Sequence, residues 1–307
     1  MILGIDPKVD YAFKRVFGIE KNRKVLASLL NSVLKDVGSE FGPVDELELK
    51  NLFIEKDHFD DKLSILDIKA HDRLGRWFNV EMQMLAHPDF VERLLYYWAK
   101  LFAEQLKEGS DWELLKPTVS ICFVNSVMFH EVTACHSVFQ LLDPRHGHRM
   151  TDRIEMHVIE LPKFNRTADG LAEDLDRWLY FLRHAAELDS QALPRSLQWG
   201  QIPVAVEELA MITHDTYEQQ LYEARMKHIR DENSYRRAGL KKGRAEGLAE
   251  GLAEGREEGL AIGKAIAEIQ LCQRLLELPM AADEDLEKLA PNERAELSES
   301  LWKRIKK

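Results

Sequence analysis

Apolar positions recur along this chain at two periods, and the switch between them divides it into elements. Asp6 followed by Pro7 reads as an N-cap with proline at the first helical position, Tyr11, Phe13, Val16 and Phe17 supply an apolar face, and Gly18 ends the helix. A second helix over 21–37 carries Val25, Leu26, Leu29, Leu30, Val33 and Leu34 at helical spacing. From Glu46 the period shortens to two, so 46–55 reads as a strand. The runs 63–70 and 77–84, rich in β-branched and aromatic residues, then flank a polar segment containing Gly75, the signature of a β-hairpin. Asp89 caps a helix running to about residue 107, and its stripe of Leu94, Leu95, Trp98, Leu101, Phe102 and Leu106 packs against the sheet. Strands over 118–124, 137–142 and 155–161 and a helix over 169–188, with Leu175, Trp178, Leu179 and Leu182 inward, complete an α/β region.

Within the hairpin the pattern fixes a register. If Arg73, Leu74 and Gly75 form a three-residue loop, Gly75 takes the left-handed position such a loop requires, Asp72 faces Arg76, and Asp67 lies opposite Glu81. Leu66, Ile68 and Ala70 then share the core face with Phe78, Val80, Met82 and Met84, while Asp67, Lys69, Glu81 and Gln83 share the other. Opposed residues have Cβ atoms about 4.5–5.5 Å apart, so Asp67 and Glu81 repel unless a cation lies between them. Hard oxygen ligands suit Mg²⁺ or Mn²⁺, which take one or two carboxylates and fill the remaining positions with water and phosphate. The chemistry this implies is phosphodiester hydrolysis. The alternative is a solvated strand face whose acids simply meet water.

Strand, Asp67, hairpin, Glu81-Met82-Gln83, helix resembles the core of the PD-(D/E)XK nucleases, with Gln83 where lysine usually stands. More narrowly, DYAFKRVFG at 10–18, LDIKA at 66–70, VEMQ at 80–83, ERLLYYWAKLFAEQLKEG at 92–109 and IELPKF at 159–164 are similar to the recombination-promoting nuclease family of bacterial transposase-like proteins. The similarity covers most of residues 1–265. It implies a mixed central sheet flanked by helices and a metal-dependent DNA endonuclease linked to recombination or mobile elements. Asp67 and Glu81 would bind Mg²⁺ (or Mn²⁺) and Gln83 would orient water or a ligand. Glutamine cannot offset developing negative charge, so Lys69, Lys14 or a second metal must do so. Lys69, on the same face as Asp67, is the preferred candidate and Lys14 the second. Asp10 and Lys14 on the first helix, and Arg93 early in the helix after the hairpin, are possible accessory residues. Arg93 is suited either to holding phosphate through its planar fork or to pairing with Asp89. Glu55 is a remote further ligand, and Asp57, Asp60 and Asp61 read as a solvated loop.

Composition modifies this picture in a few respects. The net charge of −11 argues against a general affinity for DNA, which rests on Lys and Arg neutralising phosphate, although a local basic patch or a bound metal escapes that argument. Cys122, Cys135 and Cys272 are widely spaced with no CxxC pair, so free thiols and no zinc site are expected. No cationic start precedes an apolar run and no apolar stretch is long enough to span a bilayer, which makes the cytoplasm the expected location and a membrane partner unexpected. There is no P-loop, dinucleotide fingerprint or GxSxG elbow. The loop at 145–149, RHGHR, reads as solvated, and Asp152 and Glu160 as structural.

Toward the end, glycine stands at 239, 243, 247, 251, 255, 259 and 263. Glycine costs a helix roughly 1 kcal/mol relative to alanine, so the repeat is either a stripe for close helix packing, and hence self-association, or a slippage-generated linker. Its many Glu, Lys and Arg residues exclude a membrane dimer. The organisation expected is a nuclease domain over 1–200, a charged helical segment over 201–238, the repeat over 239–265, and a small helical region over 266–307. The competing functional reading is a nuclease-like scaffold without activity that binds DNA or assembles through its repeat helix.

Overall fold

The computed structural model of the 307-residue chain describes residues 1–50, 53–54, 64–65, 67–84 and 88–306, with only the backbone described at 53–54 and 64–65. Glu55, Asp57, Asp60, Asp61, Leu66 and His87 lie outside the described residues. Two compact units divide at His228 and Ile229. The first unit takes in two elements beyond residue 200, α5 (Ile202–His214) and the start of α6 (Thr216–Leu275), because both are anchored to α1 (Asp10–Phe17).

The first unit is built on a mixed six-stranded sheet in the order β1 (Leu47–Leu49), β4 (Ile68–Asp72), β5 (Trp77–Gln83), β6 (Thr118–Val124), β8 (Ile154–Glu160), β7 (His136–Phe139). A separate pair joins β2 (Phe53–Ile54) and β3 (Ser64–Ile65). The pairs β5–β6 and β6–β8 are parallel and the other pairs of the large sheet antiparallel. Parallel neighbours need a long crossover, which α3 (Phe90–Ala103) supplies between β5 and β6.

Each face of the sheet is covered, so β6 is buried along its whole length. On one face Ile68, Ala70, Phe78, Val80, Met82 and Phe123 meet α1, α2 (Arg23–Asp36) and α4 (Asp174–His184), with Phe13 against Phe123 and Phe17 edge-on to Trp178 at 5.5 Å. On the other face Phe90 and Leu94 of α3 pack on Cys122, Val124, Met156 and Val158. The α3 indole of Trp98 donates to Thr118 O at 2.9 Å.

The hairpin forms in the expected register: Ile68 faces Val80, Lys69 faces Asn79, Ala70 faces Phe78 and His71 faces Trp77. Gly75 has φ +77°, the conformation the turn demands. Asp72 closes the turn by accepting from Leu74 N and Arg76 N and pairing with the Arg76 guanidinium at 2.5 Å.

Several boundaries differ from the pattern reading. Asp6 and Pro7 form a turn ahead of α1, Asp6 accepting from Lys8 N, and the helix starts at Asp10. The helix expected over 169–188 begins only at Asp174, where Glu173 and Asp176 form a capping box. Asp215 separates α5 from α6 and accepts from Tyr217 N and Glu218 N.

In the second unit the end of α6 packs with α7 (Asp283–Glu287) and α8 (Pro291–Ile305) around Ile266, Ile269, Cys272, Leu286 and Leu301. The glycine repeat lies within α6, where a Cβ at any of its seven glycines would meet nothing within 4 Å among the described residues. No helix of the described residues is long and apolar enough to cross a membrane.

Candidate active site

Glu81 sits at the carboxyl end of β5, pointing to the face covered by α3, and is only 4 % exposed. Asp67 lies one residue ahead of β4, past the last ladder pair of the hairpin. There it continues the pairing by other means. Its Oδ2 accepts from Met82 N at 3.0 Å, and its own N–H points at Glu81 Oε1 at 3.4 Å. Each carboxylate is thus tied to the backbone of the opposite strand, Asp67 to Met82 and Glu81 to Asp67, at one end of the sheet.

Burial drives the Glu81 carboxyl up to a pKa of about 8, and the Asp67 charge pushes in the same direction. The Asp67 N–H, Lys14 and Arg93 oppose the rise without cancelling it. Without a cation, Glu81 therefore holds a proton at neutral pH. A hard divalent cation would take that proton's place, and the donor set of two carboxylates with the outer positions left to water and phosphate fits Mg²⁺ or Mn²⁺. Among the described residues no group of three or more His, Cys, Asp or Glu side chains is placed to hold a metal, so a cation here would rest on these two acids.

The sequence-derived residues fall into two sets. Lys14, projecting from α1, reaches Asp67 Oδ1 at 3.0 Å. Gln83, one pleat beyond Glu81, donates from Nε2 to Glu81 Oε2 at 3.3 Å. Arg93 and Tyr97 of α3 line a recess with Glu81, Gln83 and Cys122, and the Arg93 guanidinium lies over the Tyr97 ring at 5.8 Å. Asp67, Glu81, Gln83, Lys14 and Arg93 are thereby brought to one place.

Lys69 and Asp10 have other partners. Lys69 is buried, forms an ion pair with Glu104 at 2.5 Å and lies over the Trp77 ring at 5.2 Å. Its charge is committed to the end of α3, and the lysine seated on Asp67 is Lys14. Asp10 pairs with Arg225 of α6 at 2.6 Å, which makes it an anchor between helices. Glu160 accepts from Met128 N and Phe129 N and pairs with Lys163, while Lys163 also donates to Phe129 O and Val132 O. The IELPKF segment thus holds the loop that follows β6.

Tyr97 and Cys122 were not among the residues the sequence singled out for the site. The i,i+4 spacing of Arg93 and Tyr97 on one helix was a usable signal for the first. Cys122 lies beside Glu81 only through the β5–β6 register, which no local pattern announces. Burial, with the Glu81 and Asp67 charges, holds its thiol pKa well above the usual range.

Comparison with curated proteins returned no match, and comparison with solved structures returned none. A family model described as PD-(D/E)XK nuclease family transposase matches residues 7–239, a span that contains every residue of the cluster. By fold, by the paired acids flanking the hairpin and by this match over most of its length, the chain belongs to the PD-(D/E)XK nuclease family of transposases.

Proposed function

We propose that this protein is a metal-dependent DNA endonuclease that hydrolyses phosphodiester bonds in recombination or element mobility, acting in the cytoplasm. The observation that supports this reading most is the Asp67–Glu81 pair: two carboxylates crowded at one end of the sheet, one of them buried and strongly perturbed, with a lysine on the more exposed partner. A structural ion pair does not need the second acid. Mg²⁺ or Mn²⁺ held by Asp67 and Glu81 would supply a more acidic water and stabilisation of negative charge on phosphate. In the hydrolysis a water oxygen bonds to phosphorus, a P–O ester bond breaks, and the departing oxygen gains a proton. Lys14 orients Asp67 and adds positive charge beside it, Gln83 orients the Glu81 carboxylate, and Arg93 is poised to receive a phosphate oxygen.

Cleavage of supercoiled and linear DNA by wild type, Asp67→Ala and Glu81→Ala, with Mg²⁺, Mn²⁺ or chelator, tests the reading. Metal-dependent cutting lost in both variants supports it. A folded wild type that fails to cut with either metal overturns it. A second reading, an inactive nuclease-like scaffold that binds DNA or assembles, draws on the lack of a third ligand among the described residues. Calorimetric Mg²⁺ binding separates the two, since a scaffold has no need of the metal. We also assign self-association to the α6 repeat, whose glycines leave the helix backbone open to a second helix.

A further inference from the structure

Near the end of α2, four titratable side chains form one unbroken chain of contacts that the proposed nuclease chemistry does not use. Asp36 Oδ2 stands 2.7 Å from His136 Nδ1, His136 Nε2 stands 3.0 Å from His157 Nδ1, and His157 Nε2 stands 2.9 Å from Glu155 Oε1. His157 and Glu155 are sealed from solvent, and the His136 side chain is nearly so.

Glu155 accepts at one oxygen from His157 and from the Ser39 hydroxyl, and at the other from the Gln140 amide at 2.7 Å. Ser39 Oγ is itself an acceptor for Phe41 N, which leaves its own proton for Glu155. With three donors on it, Glu155 is ionised, and these contacts hold its pKa below the usual carboxylate range despite the desolvation that opposes them. His157 must then carry its proton on Nε2 and present a lone pair at Nδ1. Asp36 needs one proton between itself and His136. Two neutral imidazoles have two ring protons, and both would be spent on the outer carboxylates. That leaves two lone pairs facing each other at 3.0 Å in a buried place, where unmade hydrogen bonds are costly. A third proton, on the imidazole pair, closes the N···N contact.

We propose that Asp36, His136, His157 and Glu155 form a binding site for one extra proton, held between the two imidazoles, and that this proton pins edge strand β7 to β8 and to the end of α2. The ring geometry favours a proton over a metal ion. The centroids are 5.2 Å apart, close to one 3.0 Å contact plus the two ring radii, so the lone pairs point along a single line. A metal bound at about 2.0–2.1 Å needs them to converge at an angle. Burial and the neighbouring His136 hold the His157 pKa down, which limits the pair to one extra proton instead of two. The other charges nearby are matched: Lys35 on α2 with Asp174, Glu40 in the following turn with Arg149, and Asp176 of α4 with Arg166. Cys135, beside His136, has its thiol pKa raised by burial and by the Asp36 charge, and the β-ladder neighbours of His157 are Ile121 and Val138.

The site stands at the far end of the loop that leaves β6 at Asn125, whose N–H donates to Gln83 O. Loss of the proton would loosen the anchor of that loop without touching either carboxylate of the candidate active site.

The test is a nitrogen-15 spectrum of the imidazoles in the full chain, together with hydrogen exchange of the β7 amides. At neutral pH the pair should show three ring N–H protons in wild type and two in Asp36→Asn, which keeps the shape and removes the charge. In wild type, raising the pH until the third proton leaves should speed β7 exchange by about tenfold beyond its intrinsic rate. Two neutral rings in wild type at neutral pH would overturn the proposal. So would a stoichiometric metal whose chelation shifts both histidines. Both readouts are independent of DNA cleavage, so failure here is distinguishable from failure of the nuclease reading.

Discussion

Replacing Glu81 with glutamine should make the metal-free protein more stable, and the gain should grow with pH. In the folded chain Glu81 titrates at about 8 against 4.5 for an unperturbed glutamate. The folded state therefore keeps a proton that the unfolded chain releases, and stability falls as pH rises from 4.5 toward 8. At about 1.4 kcal/mol per pH unit, this one group costs roughly 3 kcal/mol by pH 7, and the cost levels off above 8. Glu81→Gln lacks that titration. In chelator its melting temperature should diverge upward from that of wild type between pH 5 and 8, with a gap of roughly 6–12 °C at pH 7 for a unit of this size. Mg²⁺ should then raise wild type and leave the variant in place, because binding to N alone stabilises and the variant has lost a charged ligand. Thermal scans by circular dichroism over that pH range, with and without Mg²⁺, make the measurement. Parallel pH profiles for the two proteins would refute the argument from burial.

Other expectations separate the residues around the pair. Lys14→Met should cut turnover at least about tenfold, whereas Lys69→Met should leave cleavage intact and cost about 1–2 kcal/mol of stability; parallel steady-state kinetics and urea melts would show whether the two lysines have been assigned the right way round. Arg93→Ala should weaken DNA binding and lower the slope of log K against log salt by about 1, read by titration at several salt concentrations. Joint replacement of Gly243, Gly247 and Gly251 by alanine should weaken self-association in sedimentation while raising helix content, since each substitution favours helix by about 1 kcal/mol and the added Cβ atoms obstruct only a second helix. Unchanged mass would remove the repeat from the interface.

What could be read from the sequence was what depends on near neighbours. The loop at Arg73, Leu74 and Gly75 set the hairpin register, and the register set Asp67 against Glu81, because a two-residue period propagates one turn along both strands. The pattern did not reveal that α3 covers the face bearing Glu81, which converts a solvated acid into a buried one. Lys69 looked like the charge partner of Asp67 because both share a strand face. It binds Glu104, 35 residues on, through a helix placement that strand alternation does not encode. Asp10 and Lys14 share a helix face, yet one meets Arg225 and the other Asp67, a division decided by α6 arriving from the far end of the unit. The boundary expected near 200 followed the Pro and Gly punctuation there, whereas the compact unit is completed by the α1 partners that come after it.

That late closure bears on how the protein is made. The helix that carries Lys14 is held from behind by residues synthesised roughly two hundred positions later: Arg15 pairs with Glu208 and Glu218, Tyr11 donates to Glu218, and Asp10 meets Arg225. Domains generally fold as units during synthesis, and this one is incomplete until the carboxylates that back α1 have emerged. A chain halted at 200 would contain both acids, the lysine and the apolar packing of its helix on the sheet, but not the polar backing of that helix, and Arg15 would be left without either carboxylate. This order delays completion of the candidate site until translation is well past the last residue of the sheet.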